Sequence, residues 1–311
     1  MSILLTDIAG YIPTGRVDNL ARLAELETDE DFLRTKIGTT VVTRAEGEST
    51  ADLCVRAFEQ LAATSGISAS DLDALVVVTQ NPEGHGIPHT SAIVQGRIGA
   101  RDECAAFDLS LACSGWVYGV SVLESFMQAH GLRAGVLLTC DPYSGIIDPA
   151  DRNTALLFGD AAAATLLRAD AKGGWKLGRF RFATRGAGFE ALQNRTGRLE
   201  MDGRGIFNFS ATVVPDQIRA VAGDAGLTLD DIDLFLFHQG SKFIVETLGK
   251  RLGVPATKVP VALHDLGNTV SSSIPLAFMP YLRRPELRRV LVSGFGGGLS
   301  WATGLLERVA I

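Results

Sequence analysis

The chain has no basic excess: 29 lysines and arginines stand against 35 aspartates and glutamates, a net charge of −6. Nucleic-acid binders need a cationic face, so non-specific binding to nucleic acid is excluded as a leading function. Cysteine is scarce, with Cys54, Cys104, Cys113 and Cys140 scattered through 311 residues and no Cys-x-x-Cys pair. That argues against a disulfide framework and for a reducing, cytoplasmic setting. Long apolar runs are missing as well. The N-terminal run lacks a cationic leader and breaks at Asp7, and Ala155 to Leu167 is interrupted by Asp160, so neither a signal peptide nor a membrane span is expected. No metal site is expected: His85 and His89 stand four apart but straddle Pro88, with no helical carboxylate between them. Gly296 to Gly298 could cradle phosphate, but no Lys-Ser/Thr follows it and the dinucleotide spacing is absent.

What is present reads as alternating strands and helices. Ile3 to Ile12 reads as a strand ending at Pro13, and Asp73 to Thr79 as a valine-rich strand buried on both faces. Ser49 to Asp52 can cap a helix whose apolar face carries Leu53, Ala57, Phe58 and Leu61 and which ends near Gly66. Further helices are expected at Thr90 to Arg97 and Val117 to Ala129, with strands at Ala105 to Asp108 and Ala134 to Thr139.

The order then repeats. Ile232 to Gln239 matches Leu72 to Gln80, His264 to Asn268 matches the strand-turn segment starting at Phe107, and Leu287 to Ser293 matches Leu132 to Thr139. Length and duplication together predict an α/β protein of two similar halves, 1–170 and 171–311, with helices covering parallel or mixed sheets. Residues 171–209, polar and glycine-rich in parts, read as a surface excursion between the halves.

In this repeat Cys113, His238 and Asn268 all fall at or just after the ends of buried strands, where α/β sheets build their sites. A cysteine in the first turn of a helix meets unpaired N–H groups and the positive end of the helix dipole, so a lowered thiol pKa is expected. Ala112, Ser114 and Gly115 leave room for a substrate carbonyl, and the N–H of Cys113 can help hold an oxyanion, with a second donor from the glycine run after Phe295. Taken singly, a buried cysteine or histidine is inert more often than not.

At these residues the sequence resembles the β-ketoacyl-acyl carrier protein synthase III family of the thiolase superfamily, over essentially its whole length. The pieces are Asp108-Leu-Ser-Leu-Ala-Cys113-Ser-Gly, Phe158-Gly-Asp160 after Asp151-Arg152, His238-Gln239, Gly267-Asn268-Thr269 with Ser-Ile-Pro275, and Gly294-Phe-Gly-Gly-Gly298-Leu-Ser-Trp301. The resemblance implies a thiolase-like five-layer αβαβα sandwich, a homodimer and a two-step Claisen condensation. Cys113 would take an acyl group from acyl-CoA. His238 and Asn268 would then stabilise the enolate formed as a malonyl unit on acyl carrier protein loses carbon dioxide. The N–H groups of Cys113 and Gly297 would form the other oxyanion hole, and no permanently bound cofactor is needed. Neutral imidazole and amide donors suit a developing oxyanion, whereas a carboxylate would oppose it.

The resemblance also implies an entrance for CoA and pantetheine at Phe32, Lys36, Arg152, Ser241 and Lys242, carrier-protein docking at Lys250 and Arg251, and Ile87 reaching across the dimer to close the partner's acyl pocket. Here the chain departs from the family's pattern. Phe32 stands for a frequent tryptophan, Lys36 for an arginine, and His238-Gln-Gly-Ser-Lys-Phe243 for a run in which alanine and asparagine follow the glutamine and arginine comes two residues later. Lysine supplies a point charge without the fork of arginine. Lys250 and Arg251 read equally well as a solvated helix face. Alternative readings are an acyltransferase or specialised ketosynthase of secondary metabolism with a non-carrier acceptor and, from another class, a non-catalytic partner subunit that would have no need of all three residues.

Overall fold

The computed structural model describes residues 2–309. In chain order the first half contains β1 (Ile3–Tyr11), β2 (Gly15–Asp18), α1 (Glu30–Phe32), β3 (Val41–Arg44), α2 (Thr50–Ser65), β4 (Ala74–Val78), α3 (Thr90–Ile98) and β5 (Ala105–Leu109). It continues through α4 (Gly115–His130), β6 (Ala134–Cys140), α5 (Arg152–Ala155) and β7 (Ala162–Ala169). After a turn at Asp170 follow β8 (Gly174–Thr184), β9 (Leu192–Asn194), β10 (Leu199–Met201), α6 (Gly203–Asp224), β11 (Leu234–Phe237), α7 (Lys242–Leu252), α8 (Ser273–Phe278), β12 (Arg289–Gly296) and β13 (Ser300–Val309).

The predicted elements form for the reasons read from the sequence. Helix α2 opens on a reciprocal cap, in which Asp52 N–H donates to Ser49 Oγ at 3.2 Å and Ser49 N–H donates to Asp52 Oδ2 at 2.8 Å. It closes at Gly66 with φ +71°, a left-handed turn that glycine adopts without strain. Strand β4 is buried on both faces, and its alternate residues serve two cores. Leu75 and Val77 pack with Leu53, Phe58 and Leu61 of α2, while Val76 and Val78 pack with Val117 and Val120 of α4.

The nine-stranded sheet has the order β11-β12-β13-β8-β1-β7-β6-β4-β5. Among the described residues its two sides pair where β1 meets β8, at Leu4↔Lys176 and Leu5↔Trp175. Each side repeats one pattern: β4 runs parallel to β6, then β7 and β1 follow antiparallel; β11 runs parallel to β12, then β13 and β8 follow antiparallel. Helix α4 lies between the two sides, with Val120 and Leu123 in one core with Val76 of β4 and Val292 of β12. Helices α6 and α7 cover the far face of the second side through Val214, Ile218, Val245 and Leu248. The layers are thus helix, sheet, helix, sheet, helix, the thiolase-like α/β sandwich expected.

Two expectations fail. The segment from His264 to Asn268 is not a strand like β5; it turns, and Asn268 alone makes an isolated parallel bridge with Phe158. Residues 171–209 are not a surface excursion: β8 lies inside the sheet between β13 and β1, and α6 begins at Gly203. The alternation of Trp175 and Leu177 with Lys176 and Gly178 was the available signal for β8.

Candidate active site

Cys113 sits in the turn between β5 and α4, and glycines set its surroundings. A Cβ on Gly115 would lie 2.3 Å from Val78 Cγ1, so only glycine lets α4 start against β4. Gly294 and Gly296 let β12 pass equally close: a Cβ on the first would meet Cys113 O at 2.7 Å, and one on the second would meet Cys113 Sγ at 2.8 Å. Ser114 Oγ and Ser300 Oγ, 2.9 Å apart, tie the same turn to β13.

The expectation of a lowered Cys113 pKa is wrong. Burial pushes the thiol up to about 12, the nearby Asp141 carboxylate adds to the rise, and the backbone N–H groups of Cys113 and Gly297 oppose it only in part. Those two donors act on the sulfur from opposite elements, but the resting group is a thiol.

His238 follows β11, its N–H donating to Ser293 O at 2.8 Å to extend the parallel ladder. The ring meets Phe295 edge-on, with centroids 5.7 Å apart, and Nδ1 lies 2.7 Å from Ser273 Oγ. Burial lowers its pKa to about 3, a backbone hydrogen bond with Val270 pulling weakly the other way, so the imidazole is neutral. Gln239 braces the chain on either side of the site, since Nε2 donates to Phe237 O at 2.8 Å and Oε1 accepts from Ala262 N–H at 2.7 Å.

Asn268 is placed by close backbone packing. Its N–H donates to Leu157 O at 2.8 Å, and its carbonyl accepts from Gly159 N–H at 3.0 Å. A Cβ on Gly159 would collide with Leu266 O at 1.7 Å, and Gly267 adopts φ +80°. This explains the paired Phe158-Gly159-Asp160 and Gly267-Asn268 motifs. Asp160 anchors the approach by accepting from Ala45 N–H and Ser144 N–H. Asn268 Oδ1 accepts from Val270 N–H at 2.9 Å, which leaves the Nδ2 amide hydrogens free to donate into the cavity. Val270 holds φ +52°, a strained conformation for a β-branched residue, kept where its backbone serves the site.

Cys113, His238 and Asn268 line one cavity of about 380 Å³, walled by Leu157, Phe158, Phe295 and Ile244. Phe32, Lys36 and Ser241 line it too. Lys36 Nζ lies 4.0 Å over the Phe243 ring, which stacks on Phe207 with centroids 5.0 Å apart. The other sequence-predicted residues are not on its wall. Arg152 Nη1 donates to Glu27 O at 3.1 Å, while its neighbour Asn153 lines the cavity. Lys242 Nζ donates to Arg34 O at 3.3 Å. Ile87 is 87% exposed, and Lys250 and Arg251 lie exposed in the last turn of α7. Sequence reasoning missed Leu192, Met201, Arg204, Ile206 and Phe207, which come from the segment that reads as a surface excursion. Among the described residues no cluster of three or more His, Cys, Asp or Glu could hold a metal ion, and no helix is long and apolar enough to cross a membrane.

Residues 107–186 match the family model for 3-oxoacyl-[acyl-carrier-protein (ACP)] synthase III, and residues 223–308 match that for its C-terminal part. The chain is 30% identical to a β-ketoacyl-[acyl-carrier-protein] synthase III of Lactococcus lactis subsp. lactis, over 97% of this chain and 98% of that one. The crystal structure of 3-oxoacyl-(acyl carrier protein) synthase III from Pseudomonas aeruginosa PAO1 superposes with a TM-score of 0.91 at 31% identity, covering 99% of this chain and 98% of that one. The priming β-ketosynthase from the R1128 polyketide pathway superposes with a TM-score of 0.88 at 28% identity, covering 98% and 96%.

Proposed function

Because the chain belongs to the 3-oxoacyl-[acyl-carrier-protein] synthase III family of acyltransferase-type condensing enzymes, we propose that it takes an acyl group from acyl-CoA onto Cys113 and condenses it with malonyl-acyl carrier protein. The observation that carries this reading is the pairing, on one apolar-walled cavity, of a thiol flanked by two backbone donors with a neutral imidazole and a free amide.

In the first step the Cys113 sulfur attacks the thioester carbonyl, the N–H groups of Cys113 and Gly297 hold the oxyanion, and the thiol proton ends on the departing CoA thiol. In the second, the malonyl carboxylate leaves as carbon dioxide and its electron pair becomes the enolate. His238 and Asn268 donate to the enolate oxygen. The carbanion then attacks the acyl-Cys113 carbonyl, and collapse of the tetrahedral intermediate returns Cys113 as thiolate, which takes up a proton.

Around this centre we assign Phe32, Lys36 and Ser241, with Arg152 and Lys242 beside them, to the CoA and pantetheine entrance. Lys250 and Arg251 are assigned to carrier-protein docking and Ile87 to the acyl pocket of a partner subunit. The halves are taken as 1–170, carrying Cys113, and 171–311, carrying His238 and Asn268. A homodimer is supported by β5, which ends the sheet unpaired with Phe107 and Leu109 half-buried. Four free, buried cysteines support a cytoplasmic location.

A second reading, transfer to a small non-carrier acceptor in specialised metabolism, is favoured by the Phe207–Phe243 stack at the cavity, which engages the Lys36 ammonium. Intact-mass measurement after exposure to a panel of acyl-CoAs, then to malonyl-acyl carrier protein, separates the two. Condensation predicts an acyl adduct on Cys113 that malonyl-acyl carrier protein discharges as β-ketoacyl product. An adduct discharged only by small alcohols or amines favours the second reading, and no adduct overturns both.

A further inference from the structure

Both ring nitrogens of a neutral imidazole cannot carry a proton, so the group at Nδ1 decides what Nε2 can do in the cavity. That group is Ser273, at the head of α8 and 3% exposed, with Oγ 2.7 Å from His238 Nδ1. Its hydrogen-bond inventory fixes the direction. Gln239 N–H, 3.4 Å away, can only donate, so it uses a lone pair on Oγ. The hydroxyl hydrogen then has Nδ1 as its sole acceptor among the described residues, and turning it elsewhere would leave a buried donor unsatisfied. The serine is held firmly: Ser271 Oγ donates to Asp141, and Ser272 Oγ donates to Thr139 O at 2.8 Å.

We infer that Ser273 is a positioning residue that donates to His238 Nδ1 and thereby holds the ring as the Nε2–H tautomer, a donor into the cavity rather than a base. This rests on the condensing function proposed above and deepens it. His238 then joins Asn268 Nδ2 as one of two donors aimed at the enolate, and it does not deprotonate Cys113. The first half-reaction is therefore insensitive to Ser273 and the second depends on it. The competing tautomer, protonated at Nδ1, would leave Nε2 bare and opposed to an oxyanion.

The test uses the full-length protein with 15N-labelled histidine. In the wild type, the NMR signals of His238, assigned by their loss in His238→Gln, are expected to show protonated Nε2 and bare Nδ1; protonated Nδ1 overturns the inference. Ser273→Ala is expected to keep acylation of Cys113 within about twofold while kcat of condensation falls about 100-fold, the loss typical of one oxyanion donor, with KM for malonyl-acyl carrier protein held. Ser273→Thr, which keeps the hydroxyl, is expected to restore most of it. Equal losses in both half-reactions, or no loss in either, would reduce Ser273 to a packing residue. The NMR reading needs no turnover. It decides the tautomer even if Ser273→Ala fails to fold or the wild type forms no acyl-enzyme, and the latter result would count against the proposed function alone.

Discussion

The two sides of the sheet place different residues at the same structural address. Val78 pairs with Thr139 at the end of β4 and β6, and Phe237 pairs with Ser293 at the end of β11 and β12. One residue further on, Thr79 corresponds to His238; two further along the second strand, Asp141 corresponds to Phe295. In the first half the result is a polar knot: Asp141 accepts from Gln80 N–H at 2.7 Å, from Thr79 Oγ1 at 3.4 Å and from Ser271 Oγ. In the second half an aromatic edge faces an imidazole. A carboxylate at that place would favour imidazolium. Phenylalanine keeps the ring neutral and able to serve as a donor, so in the proposed reaction one address is structural and the other catalytic.

The greatest loss comes from removing what neither half can replace. Cys113→Ala is expected to abolish acyl-enzyme formation, measured by intact mass. Placing the first-half residue at the second-half address, His238→Thr, should leave acylation in place and lower condensation by about 10²- to 10³-fold, the range for one lost oxyanion donor. Loss of acylation to the same degree would undo the proposed division of labour.

The pH dependence of stability separates the two addresses further, because they carry opposite signs. Asp141 is raised by burial from 3.8 to about 6, so its contribution is fully present below about 4 and is lost as pH rises through about 6. His238 is lowered from 6.5 to about 3, so its contribution is fully present above about 6.5 and is lost as pH falls. Urea unfolding from pH 4 to pH 7 should therefore show Asp141→Asn gaining stability with pH more steeply than wild type, and His238→Gln less steeply. A subtler effect concerns the nucleophile alone. Alkylation of Cys113 by iodoacetamide should climb steadily across neutral pH without a plateau, as a thiol pushed up to about 12 requires; a plateau near neutrality would restore the helix-dipole expectation.

Cys113 and Asn268 are legible in the sequence because each belongs to a motif whose glycines are demanded by close backbone approach, and His238 because it directly follows the short apolar strand β11. The glycines at 115, 159, 267, 294 and 296 mark where chains nearly touch. The pKa of Cys113 is not legible, since the helix-end argument is local and burial by distant elements outweighs it. Nor is the inner wall of the cavity. Leu192, Met201 and Phe207 lie in a stretch whose polar, glycine-rich beginning hides apolar residues that only the fold turns inward. The turn carrying Asn268 reads as a strand because its letters repeat those near Phe107, while its backbone pairs through one bridge only.

In the proposed reaction one cysteine accepts the acyl group while two separate donors serve only its condensation. Asn268→Ala protein exposed to acyl-CoA and then to malonyl-acyl carrier protein, and followed by time-resolved intact mass, tests that separation without confounding the two steps. An acyl adduct on Cys113 is expected to form as in wild type and then persist, discharging about 10²- to 10³-fold more slowly. An adduct that never forms, or one that discharges at the wild-type rate, would show that the two steps are not divided in this way.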